Sequence, residues 1–101
     1  MILYNITYSV PLVIQEDWLN WQKNTHIPEI LATGLFERHL LLRLKEVDES
    51  EALTYALQLF AFSEDLYRRY LTEHAPALRL RSNERWGNQV IGFRTLMEIV
   101  H

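Results

Sequence analysis

The sequence contains no cysteine, and only 3 glycines and 3 prolines among its 101 residues. Without cysteine there is no disulfide, no thiolate nucleophile and no thiolate metal site, which fits a chain working in the cytoplasm. So little glycine and proline leaves no room for a flexible linker or disordered tail, so residues 1–101 are expected to fold as one ordered domain. No window approaches the roughly 20 apolar residues of a membrane span. The apolar start MILYNITYSV also lacks the basic leader and small-residue cleavage site of a signal peptide. Positive charge is scarce as well, with 10 Lys plus Arg against 13 Asp plus Glu and a net charge of -3. A surface built to neutralise phosphates would be basic, so neither nucleic acid nor a membrane is expected as a partner.

What remains is a chain that is 49% hydrophobic and patterned throughout. In ILYNITYSV the even positions Ile2, Tyr4, Ile6, Tyr8 and Val10 are large, while Asn5, Thr7 and Ser9 are small and polar. That period of two predicts a strand. QEDWLNWQKNTHIPEILATG follows with acidic residues in its first turn, Trp18, Leu19 and Trp21 for a buried stripe, and Gly34 as a stop, which predicts a helix. LFERHLLLRLKEV and ALTYALQLFAF flank the polar turn DESE and predict a hairpin. Ser63 is placed to cap a second helix running to Gly87, and QVIGFRTLMEIV closes the chain as a strand. The order β-α-β-β-α-β predicts a ferredoxin-like α+β fold, a four-stranded antiparallel sheet with both helices on one face.

Strand parity then sorts the residues. With the even residues of the first strand toward the helices, Leu53, Tyr55, Leu57 and Leu59 should join them, together with Ile91, Phe93, Met97 and Ile99. The open face should carry Asn5, Thr7, Gln58, Phe60, Phe62, Arg94, Leu96 and Glu98, while HLLLRL is apolar on both sides and leaves the facing of His39 and Arg43 undetermined. An open face this apolar needs a cover, and a second copy of the chain is the expected one. Among its polar residues, Arg94 is either half of an ion pair with Glu98 or the anchor of an anionic ligand, and Asn5 and Gln58 are further ligand candidates.

A shift of 48 residues aligns EDWLNWQKNTHIPEIL with EDLYRRYLTEHAPALR, matching Glu16 to Glu64, Asp17 to Asp65, His26 to His74 and Pro28 to Pro76. Proline inside a helix removes a hydrogen bond and costs about 3 kcal/mol uncompensated. Each helix is therefore expected to break at Ile27 or Ala75, with the histidine at the break, where its imidazole N–H can satisfy a carbonyl set free. Alternatively His26 and His74 converge as a general acid/base pair, with Trp21, one turn earlier, as a pocket wall. A metal is not expected: Asp17, Glu29 or Glu73 would have to supply a third ligand, and no HxH or HExxH spacing is present.

ILYNITYSV, WLNWQKNTHIPEILATGLF, TYALQLFAFS, YLTEHAPALR and FRTLMEIV together resemble a family of small bacterial proteins known as domain of unknown function 4286. The resemblance spans nearly the whole chain. It implies the dimeric α+β barrel arrangement, in which two ferredoxin-like sheets pack face to face. The wider group includes cofactor-independent monooxygenases, haem-degrading enzymes and muconolactone-isomerase-like proteins, but none of their catalytic motifs stands in this sequence. The expectation is a homodimer without an assigned reaction or cofactor, offering a small-molecule pocket between sheet and helices or inside the barrel. The alternative is a cofactor-independent oxygenase, isomerase or lyase for a small aromatic or carbonyl compound, with His26 or His74 as base and Arg94 stabilising an anion.

Overall fold

A computed structural model describes all 101 residues. The elements run β1 (Ile2–Pro11), α1 (Gln15–Trp21), a π-helical turn (Gln22–His26), α2 (Ile27–Ala32), β2 (Arg38–Arg43), β3 (Ala52–Ala61), α3 (Glu64–Glu73), α4 (Ala75–Trp86) and β4 (Ile91–Glu98). The sheet is antiparallel throughout in the order β2-β3-β1-β4, the ferredoxin-like topology the pattern predicts. Local chemistry sets the boundaries. Ser63 caps α3 by accepting a hydrogen bond from the Leu66 amide at 3.3 Å. Gly34 and Gly87 end the two helical arms with φ of 75° and 57°, a region that costs glycine no steric penalty. No helix is long and apolar enough to cross a membrane.

β1 and β3 pair as the alternation requires, with Tyr4 opposite Leu59, Ile6 opposite Leu57 and Tyr8 opposite Tyr55. Their helix-facing side chains pack on Ile27, Ile30, Tyr67, Tyr70, Ala75 and Leu78, with Leu35 and Phe36 closing one end. A smaller cluster of Val10, Leu53, Tyr55, Trp18 and Trp86 fills the other end. Each fully buried aliphatic or aromatic side chain contributes about 1.5–3 kcal/mol, so this layer is the main source of stability.

β4 departs from the expected parity. Tyr4 lies opposite Leu96, Ile6 opposite Arg94, and Tyr8 opposite Gly92. The even residues Gly92, Arg94, Leu96 and Glu98 therefore face the helix side, and Ile91, Phe93, Thr95 and Met97 face the open side. The more apolar half of this edge strand thus lies on the open face, with Phe93 67% and Ile91 57% exposed. Gly92 fits the register, since a Cβ there would stand 3.4 Å from the Tyr8 ring. β2 also resolves: His39, Leu41 and Arg43 lie opposite Leu59, Leu57 and Tyr55 on the helix side, not on the open face, where Leu40 and Leu42 stand.

The two His-x-Pro segments also differ. At His74 the helix breaks as predicted, with φ -124° between α3 and α4. At His26 it does not break. His26 keeps helical angles of -69° and -53°, and the Ile27 amide donates five residues back to the Gln22 carbonyl. Here the helix absorbs Pro28 by widening one turn.

Candidate functional site

Between β4 and α4, on the helix side of the sheet, lies a cleft of about 170 Å³. Tyr4, Ile6 and Tyr8 of β1 form its floor, Gly92 and Arg94 of β4 one wall, and Leu78, Arg79, Asn83 and Trp86 of α4 the other. Trp18, Tyr70 and His26 close it from behind. It exists because β4 is an edge strand that no helix covers: the core packs over β1 and β3, and space remains beside the Tyr8 ring.

The π-helical turn places His26 here. At 3.6 residues per turn, side chains five apart point about 140° away from each other. Bonding five residues back brings them nearly into line, and the His26 ring stacks on Trp21 at 4.7 Å and 15°. His26 is buried and makes no hydrogen bond to a freed carbonyl or any other protein group. It lines the cleft on one side and an outer groove with Trp21, Glu29 and Arg81 on the other. In that groove the Arg81–Glu29 ion pair, at 2.6 Å, ties α4 to α2. Burial, assisted by the Arg81 charge and opposed by Glu29, lowers the His26 pKa to about 4, so the imidazole is neutral at physiological pH.

The phenols are set the same way. Burial pushes Tyr70 up to about 12 and Tyr8 higher still; neighbouring tyrosines add to this, and the Arg79 and Arg94 charges oppose it. Both remain protonated and able to donate at neutral pH. Arg79 donates to the Tyr4 hydroxyl at 3.4 Å. The Trp86 indole N–H is buried without a partner. Aromatic walls with a few convergent polar groups are the usual make-up of a ligand site.

The sequence candidates separate accordingly. His26 and Arg94 both line the cleft, Arg94 on the face opposite to the one expected and with no Glu98 ion pair. Trp21 stacks behind His26 and walls the outer groove. His74 lines no cavity and stands 3.8 Å from Glu73, so the two histidines do not converge as an acid/base pair. Asn5 and Gln58 lie opposite each other on the open face, outside every cavity, with Asn5 donating to Thr7 at 3.0 Å. No three His, Asp or Glu side chains gather as a metal site. A groove of about 570 Å³ between α2 and β2 also exists, but it is mainly aliphatic and its Arg43 is engaged by Glu49 at 2.8 Å. Sequence reasoning missed the cleft roles of Tyr4, Tyr8, Tyr70 and Arg79. The signal for them was Gly92, whose missing side chain makes room beside Tyr8.

A family model described as domain of unknown function (DUF4286) matches residues 1–100, and the chain belongs to that family. No curated protein matches the sequence. Among solved structures, a dimeric ferredoxin-like protein from an uncultured marine organism has a TM-score of 0.71 at 8% identity, covering 100% of this chain and 96% of that one. An ethyl tert-butyl ether d (ethd) family protein from Bacillus halodurans c-125 has a TM-score of 0.69 at 15% identity, covering 99% and 100%. SnoaB, a cofactor-independent oxygenase from Streptomyces nogalater, has a TM-score of 0.57 at 17% identity, covering 99% and 94%. At these identities the likeness shows the ferredoxin-like fold.

Proposed function

Starting from membership of this family, we propose that the chain is a homodimer, joined through its open sheet faces, whose helix-side cleft binds a small molecule. One observation supports the binding reading above the rest: the cleft gathers His26, Tyr8, Tyr70, Arg79 and Arg94 from five separate elements of the chain, with no carboxylate among its lining residues. His26 and the Trp86 indole N–H are buried there without a hydrogen-bond partner, a cost that a ligand at an aromatic-walled cleft can offset. Asn5 and Gln58 are then interface residues, packed with Ile91, Phe93, Leu40 and Leu42 against the partner sheet.

Two measurements test this. Sedimentation velocity should give a particle of about twice the 12.1 kDa chain, and Phe93→Arg should return it to a folded monomer. A wild-type monomer at micromolar concentration would remove the dimer. For the cleft, a fragment screen by NMR should move the Trp18 and Trp86 indole signals, and Gly92→Leu should abolish those shifts by filling the space beside Tyr8. Shifts confined to the α2–β2 groove would relocate the site.

His26 favours a second, enzymatic reading, since a neutral imidazole with free nitrogens beside a cleft can accept a proton. SnoaB, of the same fold, is named a cofactor-independent oxygenase. Turnover lost in His26→Gln with ligand binding intact would establish that reading; turnover untouched would end it.

A further inference from the structure

The chain has eight arginines, and their partners divide them sharply. Arg43, Arg68, Arg69 and Arg81 are each bound to a glutamate. Arg38 and Arg85 sit over the rings of Phe60 and Trp86, at 4.2 Å and 4.0 Å. Arg79 and Arg94 alone have neither a carboxylate nor a ring, and both line the cleft. In a chain of net charge -3, two uncompensated guanidinium groups converging on one aromatic-walled space are a local excess that a ligand can use.

Resting on the reading of this cleft as a small-molecule site, we propose that its ligand is a monocyclic aromatic carboxylate, with the acid group held by Arg79 and Arg94 and the ring against Tyr8 and Trp18. Size favours one ring: a cavity of about 150 Å³ accommodates benzene, and this cleft holds about 170 Å³. Charge favours a monoanion. The cleft takes in Trp86 and Gly87 at the C-terminal end of α4, where the helix dipole is negative and works against a second charge. The protonated phenols of Tyr8 and Tyr70 offer donors for ring substituents.

The test uses the intact protein and four probes, namely benzoate, its neutral isostere benzamide, phenyl phosphate and acetate, titrated while the Trp18 and Trp86 indole signals are followed by NMR. Benzoate should bind at least tenfold more tightly than each of the others and weaken as salt is raised. Arg94→Gln and Arg79→Gln, both changes at exposed side chains, should fold and should each remove the preference of benzoate over benzamide. Benzamide binding as well as benzoate, or the preference surviving both substitutions, overturns the ligand class and leaves the cleft as a site. Phenyl phosphate binding as well as benzoate overturns the preference for a single charge. No shift with any ring compound at millimolar concentration overturns both this proposal and the small-molecule reading beneath it.

Discussion

The segments 21–31 and 69–79 align at a shift of 48 residues and share the histidine and proline of His-x-Pro, yet the protein folds them differently. In the second, Pro76 follows an open break, and His74 is left half exposed, with its side chain 37% accessible and only Glu73 nearby. In the first, Pro28 follows a π-helical turn that keeps the arm continuous, and His26 is buried with 7% exposure against Trp21. Proline dictates that the helix must yield. It does not dictate how. The choice follows from the residue five positions before each histidine: Trp21 has a large surface to bury and gains a ring partner by alignment, whereas Arg69 is solvated and paired with Glu73. The widened turn in turn carries His26 to the cleft, so local packing decides which histidine can meet a ligand.

Of the measurements that separate the two segments, the pH dependence of stability should show the largest effect. His26 has a folded pKa of about 4 against an unfolded value near 6.5, so the unfolded chain takes the proton first as pH falls. Its contribution is complete above pH 6.5 and is lost on descending toward 4, by on the order of 3 kcal/mol. Chemical denaturation across that window should show a slope that His26→Gln removes. Trp21→Ala should cost about 2–3 kcal/mol, because it deletes the stack on His26 and the contact with Trp86, while Arg69→Ala at the equivalent position should stay within about 0.5 kcal/mol. Equal losses would mean that the stack does not select the turn. Gln22 is 1% exposed and neither polar end of its side chain has a partner, whereas Tyr70, its counterpart 48 residues on, is satisfied as a core aromatic. Gln22→Met should therefore raise stability by about 1 kcal/mol in a denaturant melt. The smallest effect belongs to His74→Ala, within about 0.5 kcal/mol by thermal melt, since few contacts are lost.

Much of this architecture was legible. The period of two in β1 and β3, the Ser63 cap, the glycine stops and the 48-residue repeat led to the element order and to the helix-facing residues of the central strands. Parity failed at β4, for a physical reason: Ile91, Phe93 and Met97 look like a core face because they are apolar, but at a sheet edge the apolar side can equally be the one that meets another subunit. That single misreading moved Arg94 to the wrong face and hid the cleft. The break at His74 was readable from its proline. The widened turn at Gln22–His26 was not, because its only trace is the five-residue spacing of Trp21 and His26, which has meaning once the turn is known.

His26 is a neutral, stacked imidazole at the cleft, whereas His74 is half exposed and lines no cavity. An NMR titration of the His26 ring, assigned by comparison with His26→Gln, tests this most directly. A midpoint near 4 is expected, with proton resonances displaced by the Trp21 ring current, a displacement that Trp21→Ala abolishes. A midpoint near 6.5 with no ring-current displacement would mean that His26 is neither buried nor stacked on Trp21.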